Sequence, residues 1–207
     1  MSVQHYRLFT IGHSTHTLDA FVGLLKKHGV TALADVRSAP FSRFNPQFNK
    51  DALERSLKAQ SIKYVFLGRE LGARSDDRSC YENGRVQYGR LARTDLFRRG
   101  IERVMHGVEE HNIALVCAEK EPLDCHRTLL VSRALEAQGV SVTHILADGR
   151  LEAHTVTMNR LLKVAGLPDT DLFRSREELI EAACALQEER IAYTDEGMQK
   201  PAAEDTQ

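Results

Sequence analysis

The chain has 207 residues, 42% hydrophobic and 28% charged, which suits one globular core with an appendage and leaves two full domains cramped. No stretch approaches the roughly 18 apolar residues needed to cross a bilayer, and the opening MSVQHYRLF lacks the basic start and apolar run of a secretory signal, so the cytosol is the expected location. The net charge of −1 conceals an imbalance, because from Asp171 onward four Lys or Arg stand against ten Asp or Glu, leaving +5 on the preceding residues. That excess tolerates an anionic ligand without demanding one, and an acidic, solvated C-terminal helix accounts for the rest.

Tyr6 to Gly12 is a short β-branched and aromatic run ending on glycine, read as the first strand. Leu18, Phe21, Val22 and Leu25 fall at helical spacing before Gly29. The unit repeats with a strand at Ala32–Val36, a helix around Asp51–Gln60 and a third strand at Tyr64–Leu67. Between them Ser38–Pro46 carries two prolines, two Phe and an Arg directly after a strand, which suggests a site wall. The glycine-rich stretch 68–93 reads as an irregular surface excursion, with a lid as the alternative. Phe97, Ile101, Val104, Met105 and Val108 form a core-facing helical stripe.

Ile113–Cys117 is the strongest strand, apolar throughout, as expected where both sheet faces are covered. A helix over Thr128–Gln138 and a last strand at Val140–Leu146 follow. Strands alternating with helices predict an α/β fold: three layers around a mostly parallel, Rossmann-like sheet with flanking helices and a C-terminal helical extension. The expected division is an α/β domain over 1–154, an extension over 155–194 with helices around Val156–Ala165 and Ser175–Ala192, and a disordered tail over 195–207. In the longer helix Leu179, Ala182, Ala183 and Leu186 would lie against the core or a second copy of the chain.

Ligands of parallel α/β sheets sit beyond the carboxyl ends of the strands, and the unusual polar residues gather there. The first strand ends in Gly12-His13-Ser14, the second in Asp35-Val36-Arg37, the central one in Cys117-Ala118-Glu119. Singly, each has a structural explanation: a tight turn, a backbone hydrogen bond, an internal ion pair. The glycine turn is not a dinucleotide fingerprint, although a nest for one phosphate is allowed. In the segment Cys117 to Arg127, Asp124 is expected to cap the next helix and to place Cys125, His126 and Arg127 in its first turn. Cations are disfavoured at a helix N-terminus, so Arg127 there invites an anion, either a ligand or one of Glu119, Glu121 and Asp124. Cys125 would gain thiolate character and become a candidate nucleophile, with His126 or His13 carrying the proton.

Metal ligation by Cys117, Cys125, His126 and His13 is the rival use of these atoms. The spacing argues against it, since neither C-x-x-C nor H-E-x-x-H is present, so no metal or cofactor is expected. A Cys117–Cys125 redox pair is a further alternative. The C-x5-R phosphatase loop is excluded, because the residue six after Cys117 is Leu123. The four cysteines are expected as thiols, with Cys80 and Cys184 incidental.

Thr10-Ile-Gly-His-Ser14, Asp35-Val-Arg37, Pro40-Phe-Ser42, Tyr64 with Leu67–Gly72, Leu115–Glu119, Cys125-His-Arg127 and Val142–Ile145 together resemble the bacterial and archaeal family called domain of unknown function 488, over about residues 6–154. The resemblance implies an α/β fold and a shared polar site without a reaction. Its hallmark positions fall on Gly12, His13, Ser14, Asp35, Arg37, Cys117, Glu119, Cys125, His126 and Arg127. Ala73 departs from the pattern where a second glycine is expected.

The leading reading is a small enzyme acting on an anionic substrate, a nucleotide or nucleic-acid component. Arg37 and Arg127, with Gly12, Ser14, Asp35 and Ser42, would form the anion site, while His13, Glu119 and His126 move protons and Cys117 or Cys125 attacks if the chemistry is covalent. The alternatives are a nucleotide- or anion-sensing module without turnover and a metal-dependent or thiol-redox protein. Duplex nucleic-acid recognition is not expected, for want of a basic helix or aromatic platform. The acidic helices serve either dimerisation or cover of an exposed face.

Overall fold

The computed structural model describes residues 7–198. Strand β1 (Leu8–Gly12) leads into helix α1 (Leu18–Lys27), then β2 (Ala32–Asp35), α2 (Lys50–Ala59) and β3 (Lys63–Phe66). After a short α3 (Gly68–Leu71), a hairpin of β4 (Tyr81–Glu82) and β5 (Arg85–Val86) and a one-turn α4 (Tyr88–Leu91), helix α5 (Asp95–Gly107) returns the chain to β6 (Ile113–Cys117). A π-helical turn (Arg127–Ser132) runs into α6 (Arg133–Glu136), followed by β7 (Val142–Ile145), β8 (Leu151–Ala153), α7 (His154–Val164) and α8 (Arg176–Ile191).

Local signals explain these boundaries. Thr17 caps α1 by accepting from Ala20 N, with Asp19 in the first turn and Lys26 and Lys27 in the last, which complements the helix dipole. Gly29, with φ of +67°, then reverses the chain in the left-handed region that glycine enters without steric cost. Ser175 and Glu178 form a capping box on α8.

The sheet runs in the order β3-β2-β6-β1-β7-β8, parallel except for the antiparallel pair β7–β8. Crossovers from β1 to β2 and from β2 to β3 move one way along the sheet, and those from β3 to β6 and β6 to β7 move the other way. Right-handed crossovers therefore put α1 and α2 on one face and α5 and α6 on the other. The two hydrophobic clusters follow suit: Phe21, Leu25, Leu53 and Leu57 pack with Ala114 and Val116, while Phe97, Val104, Leu161 and Leu179 share a cluster with Leu115 and Cys117. All of β6 is buried, as its unbroken apolar run requires. The connections of β2 and β6 part in opposite directions, which opens a crevice beyond their carboxyl ends.

The structure corrects several expectations. The stretch 68–93 is not an irregular excursion, because the hairpin and α4 bury Cys80, Val86, Tyr88 and Leu91 in the main cluster. Strand β8 has three residues, too short for its pattern to stand out. The helix expected over Thr128–Gln138 is a π turn with one α-helical turn; the Ser132 hydroxyl donates to Arg127 O at 2.7 Å, and such side-chain back-bonding accommodates a widened turn. Along α8 the buried residues are Leu179, Ala183, Cys184 and Gln187, and Leu186 is exposed. Of the tail, Asp195 N donates to Gly84 O at 2.7 Å and Glu196–Met198 form a 3-10 turn, so 195–198 are structured; the remainder lies outside the described residues.

Candidate functional site

Three strand ends meet as the sequence suggests, held by backbone contacts. His13 N and Ser14 N donate to Cys117 O and Ala118 O at 2.9 and 3.0 Å, extending the β1–β6 ladder past the strands. A Cβ on Gly12 would lie 1.9 Å from Glu119 O. The glycine is therefore required by close backbone approach, and what approaches is the loop that carries the chemistry.

That loop does not follow the expected capping scheme. Pro122–Asp124 form a 3-10 turn capped by Glu121, and Cys125 is extended, with φ −140° and ψ 138°. The π turn starts only at Arg127, with His126 at its N-cap position and no side-chain cap. Asp124 instead accepts from Gln187 Nε2 at 3.2 Å, while the same amide donates to Leu123 O at 3.1 Å. The extended Cys125 brings its sulfur back beneath the end of β6.

The result is a compact cluster. His126 Nε2 donates to Val36 O at 3.1 Å, which turns Nδ1 toward both sulfurs, 3.8 Å from Cys117 Sγ and 3.9 Å from Cys125 Sγ. Cys125 Sγ shares a hydrogen bond with Glu119 Oε2 at 3.0 Å and accepts from Arg127 N at 3.4 Å. The thiols divide their roles. The hydrogen bond to Cys125, with burial, holds Cys117 well above the usual thiol range. Burial would raise Cys125 as well, but the bond from Cys117 and the positive charges of Arg127 and His126 outweigh it and hold Cys125 well below that range. Burial and the charge on Cys125 push Glu119 upward. Burial alone would lower His126, yet the negative groups at Cys125 and Glu119 raise it. The four groups thus share protons rather than titrating independently.

The two arginines differ from one another. Arg127 is fully buried; its Nη1 donates to Glu119 O at 2.8 Å, Nη2 to Lys120 O at 3.4 Å and Nε to Thr10 Oγ1 at 3.4 Å. It therefore braces the backbone of the Cys117–Cys125 loop; no carboxylate among the described residues pairs with its guanidinium, and it is not among the residues lining the cavity. Arg37 grips Asp35 through Nε at 2.9 Å and Nη2 at 2.6 Å, and Nη2 also reaches Phe48 O at 2.9 Å. Tyr64 donates to the same carboxylate at 2.7 Å. The structural explanation thus holds for Asp35 and for two of the three Arg37 nitrogens; Nη1 has no hydrogen-bond partner among the described residues.

Arg37, Cys117, Glu119 and His126 line a cavity of about 300 Å³ in the crevice between β2 and β6, with Arg74, Tyr88 and Tyr193 among its other walls. The Arg74 guanidinium lies 4.5 Å over the Tyr193 ring and has no ion-pair partner among the described residues. Burial and the charge at Cys125 push the Tyr88 phenol far above its usual range, so it stays protonated. A larger cavity of about 440 Å³ between the hairpin and α8 contains neither thiol nor imidazole.

The other proposed residues fall outside this cavity. His13 stacks on Phe48 with ring centres 4.4 Å apart, bonds Ser14 O through Nδ1 at 2.9 Å and is pulled by burial to a pKa of about 4. Ser42 accepts from Phe44 N and Asn45 N at 3.2 Å, organising its own loop. That loop contributes Phe41 to the rim of the cavity, and both Phe41 and Phe44 are exposed. Sequence reasoning missed Arg74, Tyr88 and Tyr193, which reach the site from the region read as irregular and from the C-terminal end. A buried glutamine on an otherwise apolar helix stripe, Gln187, was the one signal that α8 touches this loop.

A doubly wound α/β protein with a thiol–imidazole–carboxyl cluster at its topological switch point is the class that fold and site define. A family model described as "Domain of unknown function DUF488" matches residues 17–134, more than half of the chain. The chain belongs to that family. The match includes Asp35, Arg37, Cys117, Glu119, Cys125, His126 and Arg127, and it leaves out Gly12–Ser14 and the whole of α7 and α8. No curated protein and no solved structure matches the chain. No helix among the described residues is long and apolar enough to cross a membrane.

Proposed function

We propose that this chain is a small cytosolic enzyme acting on an anionic small molecule, a nucleotide or nucleic-acid component, bound in the cavity at the carboxyl ends of β2 and β6. The observation that carries the reading is that one cavity is lined both by cations with nitrogens unpartnered among the described residues, Arg37 and Arg74, and by proton-carrying groups, Glu119, His126 and Cys117. The cavity is at the small end of ligand sites, which suits a mononucleotide or a smaller anion better than a dinucleotide. Arg74 and Arg37 would hold the anion, the Tyr88 hydroxyl would donate to it, and Glu119 and His126 would move protons. Arg127 holds the loop in register and has no direct role with substrate.

A melting-temperature screen of nucleotides, phosphate and pyrophosphate tests this directly. Saturation to one hundred times the dissociation constant adds about 2.7 kcal/mol of stability, and the expected result is such a shift for at least one anion. Arg74→Ala should weaken binding about tenfold, as loss of about 1.4 kcal/mol implies. Turnover of the bound anion, followed by mass spectrometry, separates an enzyme from a sensing module. The absence of any shift at millimolar anion would remove the reading.

A further inference from the structure

We propose that Cys117, Cys125 and His126 bind a zinc ion through two thiolates and one imidazole, with the fourth coordination position facing the cavity. The sequence objection to a metal concerned ligands spaced as neighbours along the chain. The fold supplies what the spacing lacks, because donor atoms of the three residues lie within 4.8 Å of one another. In a tetrahedral zinc site with bonds of about 2.3 Å to sulfur and about 2.0 Å to nitrogen, sulfur and nitrogen stand about 3.5 Å apart. The present separations of 3.8 and 3.9 Å need only a few tenths of an ångström of contraction.

The surroundings match a metal site beyond its ligands. Metal-bound imidazoles are oriented by a hydrogen bond from their other nitrogen, and His126 Nε2 makes that bond to Val36 O while Nδ1 faces the sulfurs. The Arg127 amide on Cys125 Sγ is a donor suited to a metal thiolate. Cys117 and His126 line the cavity and Cys125 is 1% exposed, so the ion would be held from within and reached from one side. His13, counted among the four donors in the sequence, stacks on Phe48 instead, which leaves three protein ligands and one position for water or substrate, as catalytic zinc sites have. On binding, the protons still held by Cys117 and by Nδ1 pass to solvent, and no electron is transferred.

This inference deepens the proposed function and rests on the same cavity receiving the anion, where the ion would polarise it or a bound water. The test is titration of the full chain, reduced and freed of metal by chelator, with cobalt(II). One cobalt per chain is expected, with a thiolate-to-cobalt charge-transfer band and strong tetrahedral visible absorption, both displaced by zinc. Cys117→Ser and His126→Gln should each lose at least about tenfold in affinity with unchanged circular dichroism. Should either variant fail to fold, alkylation of the native chain decides, because zinc should protect Cys117 and Cys125 together. Absence of the bands from folded protein, retention of the bands in both variants, or equal alkylation with and without zinc would overturn the proposal. Anion binding measured on the metal-free chain and on Arg74→Ala reports on the proposed function separately, so either idea can fail while the other stands.

Discussion

Replacing Arg127 by methionine removes a cation that no carboxylate among the described residues neutralises and that three oxygens hold. A hydrogen bond from a charged donor contributes about 1.5–3 kcal/mol, and the bond to Glu119 O at 2.8 Å belongs in that range. The two contacts at 3.4 Å contribute less, but their loss leaves a buried hydroxyl and a carbonyl short of a donor, at about 1 kcal/mol or more each. Methionine fills most of the volume, which keeps the cavity term small. The net loss is then about 3–5 kcal/mol, and at about 2–4 °C per kcal/mol for a domain of this size the melting temperature should fall by roughly 6–20 °C. Thermal unfolding by circular dichroism and urea unfolding measure it. Arg127→Lys should recover only part of the loss, because an ammonium cannot span the three oxygens as a fork does. Below its melting point the Met variant should still show the anion-induced shift, since the guanidinium does not line the cavity. An unchanged melting temperature together with abolished anion binding would refute the assignment and return Arg127 to the ligand.

Gly12→Ala would set a Cβ 1.9 Å from Glu119 O; the variant should be insoluble or lose more than about 3 kcal/mol, and a melting temperature within about 2 °C of the parent would refute the close approach. Asp35→Asn leaves Arg37 buried without its counter-ion, so urea unfolding should show a loss of about 3–5 kcal/mol, and an unaltered midpoint would count against the ion pair as a structural device. The buried chain Thr10–His144–His154, linked at 2.7 and 3.1 Å, sets a pH dependence. Burial lowers His154 to about 4 and His144 to about 2, so both are neutral in the folded protein while the unfolded chain protonates them below about pH 6.5. Stability should thus be full above pH 6.5 and fall by about 1.4 kcal/mol per unit for each histidine as the pH drops toward 4. Burial likewise holds His13 at about 4, so three histidines share the slope, and His154→Gln should reduce it by about a third between pH 6.5 and 5, measured by urea unfolding across the range; an unchanged slope would show that His154 is not among the groups that titrate.

The frame of the fold was readable because its signals are local. Ile113–Cys117 is apolar without interruption, Gly29 stops α1, and Ser175 with Glu178 starts α8; each acts within one turn or strand. The strand-end cluster was readable for the same reason, since topology alone carries residues after β1, β2 and β6 to one edge. What the sequence hides is direction. Arg37 and Arg127 are both cations beside a strand end or a helix start, yet one lines the cavity with a nitrogen unpartnered among the described residues and the other is buried against carbonyls. That difference depends on Asp35, Thr10 and the path of Glu119, not on spacing. The conformation of Cys125 is hidden likewise: a helix start was expected two residues too early, and an extended residue there is what brings two thiols and one imidazole together. Tyr88 and Tyr193 reach the cavity from segments whose patterns gave no reason to face it.

Seven of the ten residues carried by the family resemblance therefore fall into two physical groups. Gly12, Asp35 and Arg127 shape backbone: an absent Cβ admits the loop, an ion pair fixes the end of β2, and a guanidinium ties the loop to β1. Cys117, Glu119, Cys125 and His126 are the groups so positioned. Burying a guanidinium without a carboxylate partner is unfavourable unless its hydrogen bonds are satisfied, and here they are satisfied by the backbone that presents Glu119 to the cavity. Precision in the second group depends on the first, so losses in either will look alike in an activity assay and separate only when stability is measured beside it. The cavity's far wall has another origin. Tyr193 follows α8, and Gln187 within it bonds the Cys117–Cys125 loop at Leu123 and Asp124, yet both lie beyond the residues the family model matches. The thiol, imidazole and carboxyl groups thus come from the matched segment, while part of the cavity wall is supplied by Ile191 and Tyr193, at and after the end of α8 and beyond the matched residues.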